Sequence, residues 1–276
     1  MKRWGYIFIT CLLLLGCSTR LVYNNLDWLA LQYIDDYVDL SEPQQQLVSD
    51  KVAQLSEWHR KQEIPSYISH LDQLLSTDLH SLTAQDVIWQ QQQFRLHWQR
   101  LMQKLEPELY SLSLQLTPEQ MEQLLNNIRK RHIKYKRRYQ NMSESQIRQR
   151  YTERINEQLT DWLGTLNPAQ KLQVENWAAS VDITTYDWIE YQTRLRIELK
   201  HLIALKSDPQ AYKQQFSKLL LTPEQFYQPG LADKLEHNRQ VAARYVVKIM
   251  KLMDTRQAAH LRDELQDWKQ IALELI

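Results

Sequence analysis

Residues 231–252 read LADKLEHNRQVAARYVVKIMKL, and this stretch decides the fold class. Side chains in it recur at alternating steps of four and three residues, which is the period of one face of an α-helix. The face includes one polar residue, Asn238, which we expect to fix the helix register. Its members are Leu231, Leu235, Asn238, Ala242, Tyr245, Ile249 and Leu252.

The helical period extends through almost the whole chain after residue 24, whereas the alternating pattern of a β-strand is nearly absent. Further apolar stripes run from Leu26 to Leu40, from Phe94 to Leu105 and from Leu124 to Met142. The sequence therefore predicts an all-α bundle of about 10–13 helices. We expect most tryptophans to be buried in these stripes. Residues 21–276 are predicted to form the helical domain, and two packed sub-domains that meet at a seam near residues 140–145 are an open alternative.

Proline-containing motifs mark the predicted helix starts. Each has a leucine, a capping Ser, Thr or Asn, a proline and a glutamine, and the glutamine can bond back to the cap. The motifs begin at Leu40, Leu116, Leu166 and Leu221, with a looser copy at Leu82. The eight prolines are expected to cut the chain into helices of roughly 10–25 residues.

Glycine content excludes several classes of enzyme. The chain has four glycines, and only Gly164 and Gly230 lie outside the N-terminal segment. These two glycines are too few and too far apart to form a phosphate-binding loop, a dinucleotide fingerprint or a glycine-flanked serine elbow. Gly164 is expected to end a helix, and Gln228-Pro229-Gly230 to form a turn.

The N-terminal segment is interpreted as a lipoprotein leader. Lys2 and Arg3 precede an apolar run that is too short to span a bilayer, and the run ends in Leu14-Leu15-Gly16-Cys17. This end resembles the bacterial lipobox, which implies a signal peptide at residues 1–16, lipid on Cys17 and a short tether at residues 17–20. The alternatives are an ordinary signal peptide with an incidental cysteine, or a short buried helix. Ser18 implies, by analogy, an outer-membrane anchor that faces the periplasm, and the cell surface is not excluded.

The segment LVYNNLDWLALQYIDDYVDL, at residues 21–40, supplies a second resemblance. It resembles the opening of a family of uncharacterised proteobacterial lipoproteins, in which a lipobox directly precedes this segment. The resemblance implies an all-α envelope lipoprotein and assigns no catalytic residue.

Leu-Thr-Pro-Glu-Gln at residues 116–120 and 221–225 is similar to a repeated motif of small periplasmic helical chaperones. A helix cap alone explains this spacing.

Three aspartates and one basic run are the candidate interaction residues. Asp35, Asp36 and Asp39 lie three or four residues apart, so on one helix they would repel each other unless cations or a metal offset their charge. The basic run holds seven cations: Arg129, Lys130, Arg131, Lys134, Lys136, Arg137 and Arg138. It is interpreted either as a solvated helix face or as a contact for an anionic surface, such as lipid headgroups, lipopolysaccharide or a peptidoglycan-bound polymer.

The leading hypothesis is a lipid-anchored helical protein that acts by binding, as a scaffold, adaptor or chaperone-like protein. Its partners are expected to be the membrane, through the lipid, and an envelope protein or anionic polymer, not nucleic acid. No cofactor and no metal are predicted, because the eight histidines are scattered and the only other cysteine, Cys11, lies in the leader. The alternative hypothesis is an envelope hydrolase or metal-dependent enzyme that uses Asp35, Asp36 and Asp39.

Overall fold

Regular secondary structure in residues 22–276, which the computed structural model describes, is entirely helical. This part of the chain forms eleven α-helices, one π-helical turn (His59–Glu63) and one 3-10 turn (Pro223–Phe226). The predicted all-α class is confirmed. The helices are α1 (Leu26–Asp35), α2 (Glu42–Trp58), α3 (Ile64–Ser76), α4 (Ala84–Gln115), α5 (Pro118–Tyr139), α6 (Glu144–Leu163), α7 (Pro168–Ser180), α8 (Thr185–Ala204), α9 (Pro209–Leu221), α10 (Leu231–Met250) and α11 (Thr255–Leu275).

The chain divides into two compact units. Of the described residues, unit 1 contains residues 22–76 together with Asp263–Ile276, and unit 2 contains Thr77–Arg262. The possible seam at residues 140–145 lies inside unit 2, in the turn between α5 and α6. That turn is short because Ser143 caps α6 at once, through a 2.8 Å hydrogen bond from its N–H to Gln146 Oε1.

Capping boxes open the helices as the motifs predict. Complete boxes lie at Ser41, Thr83, Thr117 and Asn167, and the sequence motifs missed two more, at Ser143 and Asp254. Each box pairs backbone N–H groups that the first helical turn leaves without partners, and one cap is worth about 1 kcal/mol.

The motif at Leu221 behaves differently from the other four. It opens only the 3-10 turn Pro223–Phe226, and no side chain caps that turn. Thr222 instead closes α9, since its N–H donates to Lys218 O at 3.1 Å. The prediction of an α-helix start at this position is therefore wrong.

Two prolines do not interrupt the chain as predicted. Pro107 lies inside α4, which runs for 32 residues. Pro65 follows the π-helical turn, within helical residues that extend without a break from 42 to 76. In that turn the N–H of Ile64 bonds to His59 O, five residues back. A proline has no N–H and crowds the carbonyl four residues back, so the wider turn accommodates Pro65.

In unit 1 a partly buried histidine, His59, connects two tyrosines. The Tyr23 hydroxyl lies 2.9 Å from His59 Nδ1 and donates toward Ser56 O at 3.2 Å, while Tyr67 OH lies 3.2 Å from His59 Nε2. Burial lowers the pKa of His59, and the carboxylate of Glu63 opposes the shift. These contacts fix the segment that leads into α1 onto the π-helical turn.

The core of unit 2 surrounds α10, which packs on both α4 and α7. Leu231 and Ile249, both on the predicted stripe, have no exposed surface, whereas Leu252 at the end of the stripe is 37% exposed. Val241 and Ala243 are equally buried although they lie outside that stripe. Two packing partners cover a wider arc of a helix than the narrow stripe assumes. Asn238 accepts a 2.7 Å bond from the Asp182 N–H and donates to Asp182 O at 2.9 Å, so it fixes a loop against α10.

Four tryptophans that were expected in the core are exposed instead, which corrects the prediction for them. They are Trp28, Trp89, Trp98 and Trp162. Phe94, on the same predicted stripe as Trp98, is also exposed. Along α4 the packing partners are α9 and α10. A helical stripe is buried only where a partner helix covers it, and sequence period does not report that coverage.

Two capping glutamines meet in the interior of unit 2. Gln170, of the α7 box, and Gln257, at the start of α11, are 0% and 1% exposed. Each side-chain amide donates to the other's carbonyl oxygen, at 3.0 and 2.9 Å. Gln170 also donates to Ile249 O at 3.3 Å, and Gln257 donates to Thr165 O at 3.0 Å. The pair joins the starts of α7 and α11 to the end of α10.

We predict that Gln257→Ala lowers the free energy of unfolding by about 2–4 kcal/mol, because Gln170 and Thr165 O lose buried hydrogen bonds. Gln146→Ala is the matched control, since Gln146 has the same capping role at an exposed position. It should cost about 1 kcal/mol or less. Urea unfolding measures both, and equal losses would contradict a special role for the buried pair.

Candidate anionic-ligand interface

Helix α5 has a strongly polarised charge distribution. Its acids, Glu119 and Glu122, lie near its start, and its seven cations lie between Arg129 and Arg138. Lys136, Arg137 and Arg138 fall in the last turn. Cations near a helix C-terminus are stabilised by the helix dipole, which favours the charge of this segment without requiring a carboxylate partner.

Helical geometry spreads the cations over the whole solvent side of α5. Three pairs are seven residues apart, which is two turns or about 10.5 Å along the axis. They are Arg129 with Lys136, Lys130 with Arg137, and Arg131 with Arg138. The opposite side carries Ile128, His132, Tyr135 and Tyr139, which are all partly buried. We call the solvent side of residues 129–138 the basic face.

Ion pairs with described residues are absent for most cations of the basic face. Six of its seven cations are exposed, and Arg138 is partly buried. Within residues 22–276, no carboxylate forms an ion pair with five of them: Arg129, Lys130, Lys136, Arg137 and Arg138. Lys130 donates only to Asn127 Oδ1, at 3.1 Å. Four of these five cations are exposed, so their charges lie in solvent without an ion-pair partner among the described residues.

Helix α8 lies antiparallel to α5 and is fastened to it at both ends. The Tyr186 hydroxyl donates to Met142 O at 2.6 Å, and Lys206 Nζ donates to Leu116 O at 2.6 Å. Between these ends, burial and the nearby guanidinium of Arg196 lower the pKa of His132 to about 4. His132 is thus neutral at pH 7, and α8 adds a cation beside α5.

Two arginines of helix α6 lie near tyrosines of α5. The Arg150 guanidinium lies 5.8 Å from the ring centroid of Tyr139. Burial, opposed by the charge of Arg154, raises the pKa of Tyr135 to about 12. The basic run in the sequence did not indicate that Arg150, Arg154 and Arg196 lie near α5. Only the packing of α6 and α8 against α5 brings these arginines close to it.

The aspartate cluster is not placed as its spacing suggested. Asp35 is the last residue of α1, Asp36 caps its end, and Asp39 lies in the connection to α2. All three are exposed. They do not share one helical face, because the helix ends before Asp39. In the part of the chain described, no group of three or more His, Cys, Asp or Glu residues is placed to hold a metal ion.

The predicted lipidation site, Cys17, lies outside the described residues, as do the leader and tether. From residue 22 onward, none of the helices combines the length and the apolar character needed to cross a membrane.

The model of a protein family of unknown function, DUF6279, matches residues 36–231, which is more than two-thirds of the chain. The chain belongs to this family. The match covers all of α2 to α9 and therefore includes the basic face. No curated protein and no solved structure matches the chain.

The low pKa of His132 predicts how acid affects stability. In the unfolded chain the histidine has a pKa of 6.5, whereas in the folded chain the pKa of His132 is about 4. As the pH falls, the unfolded chain is therefore protonated at this residue at a higher pH than the folded chain. His132 therefore contributes stability above pH 6.5, and this is lost as the pH falls toward 4. We expect wild-type protein to lose stability relative to His132→Gln across that range, in urea titrations at stepped pH. Parallel curves would contradict the burial of His132.

Proposed function

We propose that this protein is a lipid-anchored component of a Gram-negative envelope that acts by binding, as a scaffold or adaptor at the periplasmic side of the outer membrane. Its basic face would hold an anionic partner. The observation that carries this proposal is the concentration of exposed cations between Arg129 and Arg137, four of which have no carboxylate partner among the described residues.

Sequence features support the anchor. The lipobox at Leu14-Leu15-Gly16-Cys17 follows a charged start and a short apolar run. The segment at residues 21–40 resembles the opening of proteobacterial lipoproteins. Two or more acyl chains anchor a protein stably, whereas one binds marginally. Ser18 supports retention at the outer membrane.

Electrostatics supports the anionic partner. Each Lys or Arg near an anionic surface contributes about 1 kcal/mol to binding. An anchored protein meets other envelope components at a high effective concentration, so that even modest affinity gives lasting contact. The contact would weaken with salt, because exposed charges are screened.

The anchor predicts that Cys17→Ser removes lipid. Labelled palmitate should be incorporated into the wild-type chain and not into the variant, and the variant should leave the outer-membrane fraction. Ser18→Ala, which keeps the cysteine, is the control and should be labelled like wild type. If the wild-type chain incorporates no labelled palmitate, the proposed lipid anchor is contradicted.

The basic face predicts salt-sensitive binding to anionic probes. We expect Lys130→Gln/Lys136→Gln/Arg137→Gln to weaken binding by at least about tenfold, since three contacts are lost together. The probes are inorganic polyphosphate and vesicles of equal parts phosphatidylcholine and phosphatidylglycerol. The protein is the full-length chain with Cys17→Ser, so that acyl chains do not mask the effect.

A matched triple variant separates the basic face from general charge. Lys171, Arg244 and Lys251 are exposed cations of unit 2 outside α5. Changing all three to Gln alters net charge by the same amount and should leave binding nearly unchanged. Equal weakening in the two triples would mean that total charge, not the basic face, governs binding.

A further inference from the structure

Two exposed isoleucines lie among the cations of α5 and α8. Ile133, on the basic face, is 37% exposed, and Ile197 of α8 is 59% exposed. The α8 residues Arg194 and Lys200 are also exposed. Ile197 therefore leaves more than half of its surface in water, and Ile133 leaves more than a third of its surface there.

Helical spacing places cations beside both isoleucines. Residues three and four apart share a helix face. Ile133 therefore has Arg129 and Lys130 on one side along α5, and Lys136 and Arg137 on the other. Ile197 has Arg194 and Lys200 at three residues on either side. Both helices thus present an aliphatic side chain framed by cations.

Two acidic residues of α8 form contacts with residues of other helices. Asp187 forms an ion pair with Lys234, at 2.8 Å, and Glu198 accepts a 2.8 Å bond from Gln215 Nε2. The charge of Asp187 is therefore compensated by Lys234, whereas Glu190, four residues before Arg194, is an exposed acid of the same helix. The two helices are also fastened at both ends, so they carry their isoleucines on one rigid antiparallel pair.

We propose that the partner of the basic face is the surface of a phospholipid bilayer with anionic headgroups, which Ile133 and Ile197 enter. This inference rests on the proposed function and names its ligand. A bilayer surface offers phosphates to the cations and an acyl boundary to aliphatic side chains, and long cationic side chains reach the phosphates while their stems lie in the apolar layer. A soluble polyanion offers only the first of these, so it leaves the isoleucines in water.

The test compares vesicles with polyphosphate. The Ile133→Gln/Ile197→Gln variant of the full-length chain with Cys17→Ser is mixed with vesicles of phosphatidylcholine alone or of phosphatidylcholine and phosphatidylglycerol in equal parts. We expect partition to the anionic vesicles to fall by about fivefold or more, because two partly exposed aliphatic side chains lose their apolar burial. Binding to polyphosphate should be unchanged.

Leu172→Gln is the matched control. Leu172 is 53% exposed on α7 of the same unit, and the residues three and four before and after it carry no positive charge. Its substitution should leave vesicle partition as in the parent chain. All variants carry the same N-terminal segment, so its contribution to partition cancels in the comparison.

The outcomes separate the two proposals. If the isoleucine pair leaves vesicle partition unchanged while the cation triple still weakens polyphosphate binding, the partner is a soluble polyanion and the bilayer inference is overturned, with the proposed function intact. If the cation triple changes neither probe, the proposed function falls as well. Loss of vesicle binding in the isoleucine pair with polyphosphate binding retained supports the bilayer.

Discussion

The reciprocal amide bonds between Gln170 and Gln257 are the constraint on which unit 2 depends. A buried amide must have its donors and its acceptor paired, since each unpaired group costs free energy. Here each glutamine side chain accepts a bond from the N–H of the residue that caps its helix and pairs with the other glutamine, and both also donate to backbone carbonyls. One arrangement of the α7 and α11 starts satisfies all these bonds, so the capping chemistry of individual helices becomes tertiary structure.

That constraint belongs to a wider use of polar groups at helix ends. Arg148 of α6 donates from Nη1 to the carbonyls of Ala178, Ala179 and Val181, at 2.9–3.0 Å. These are the carbonyls that the end of α7 leaves unpaired, and a cation there also suits the helix dipole. Asn238 binds the next residue of the same loop. The polar bonds thus fix both ends of α7, while apolar contacts fill the space between helices.

A rigid helical frame matters for a protein that binds through a surface. The basic face lies on one long helix, and α8 is fastened to that helix by bonds at both ends. The exposed side chains of the basic face therefore keep fixed spacings, which they would not do on a mobile loop. Binding then orders few further backbone groups, and less entropy is lost than for a flexible basic segment.

The sequence by itself determined the all-α class, most helix starts and the basic run, because capping and helical period act within a few residues. It failed where packing decides: it assumed breaks at Pro65 and Pro107, a buried Trp98 and one helical face for Asp35 and Asp39. Only tertiary structure brought Gln170 to Gln257, set Arg196 beside His132 and left Ile133 and Ile197 exposed. Coverage of a helix by its neighbours depends on residues far apart in the chain, and no local pattern encodes it.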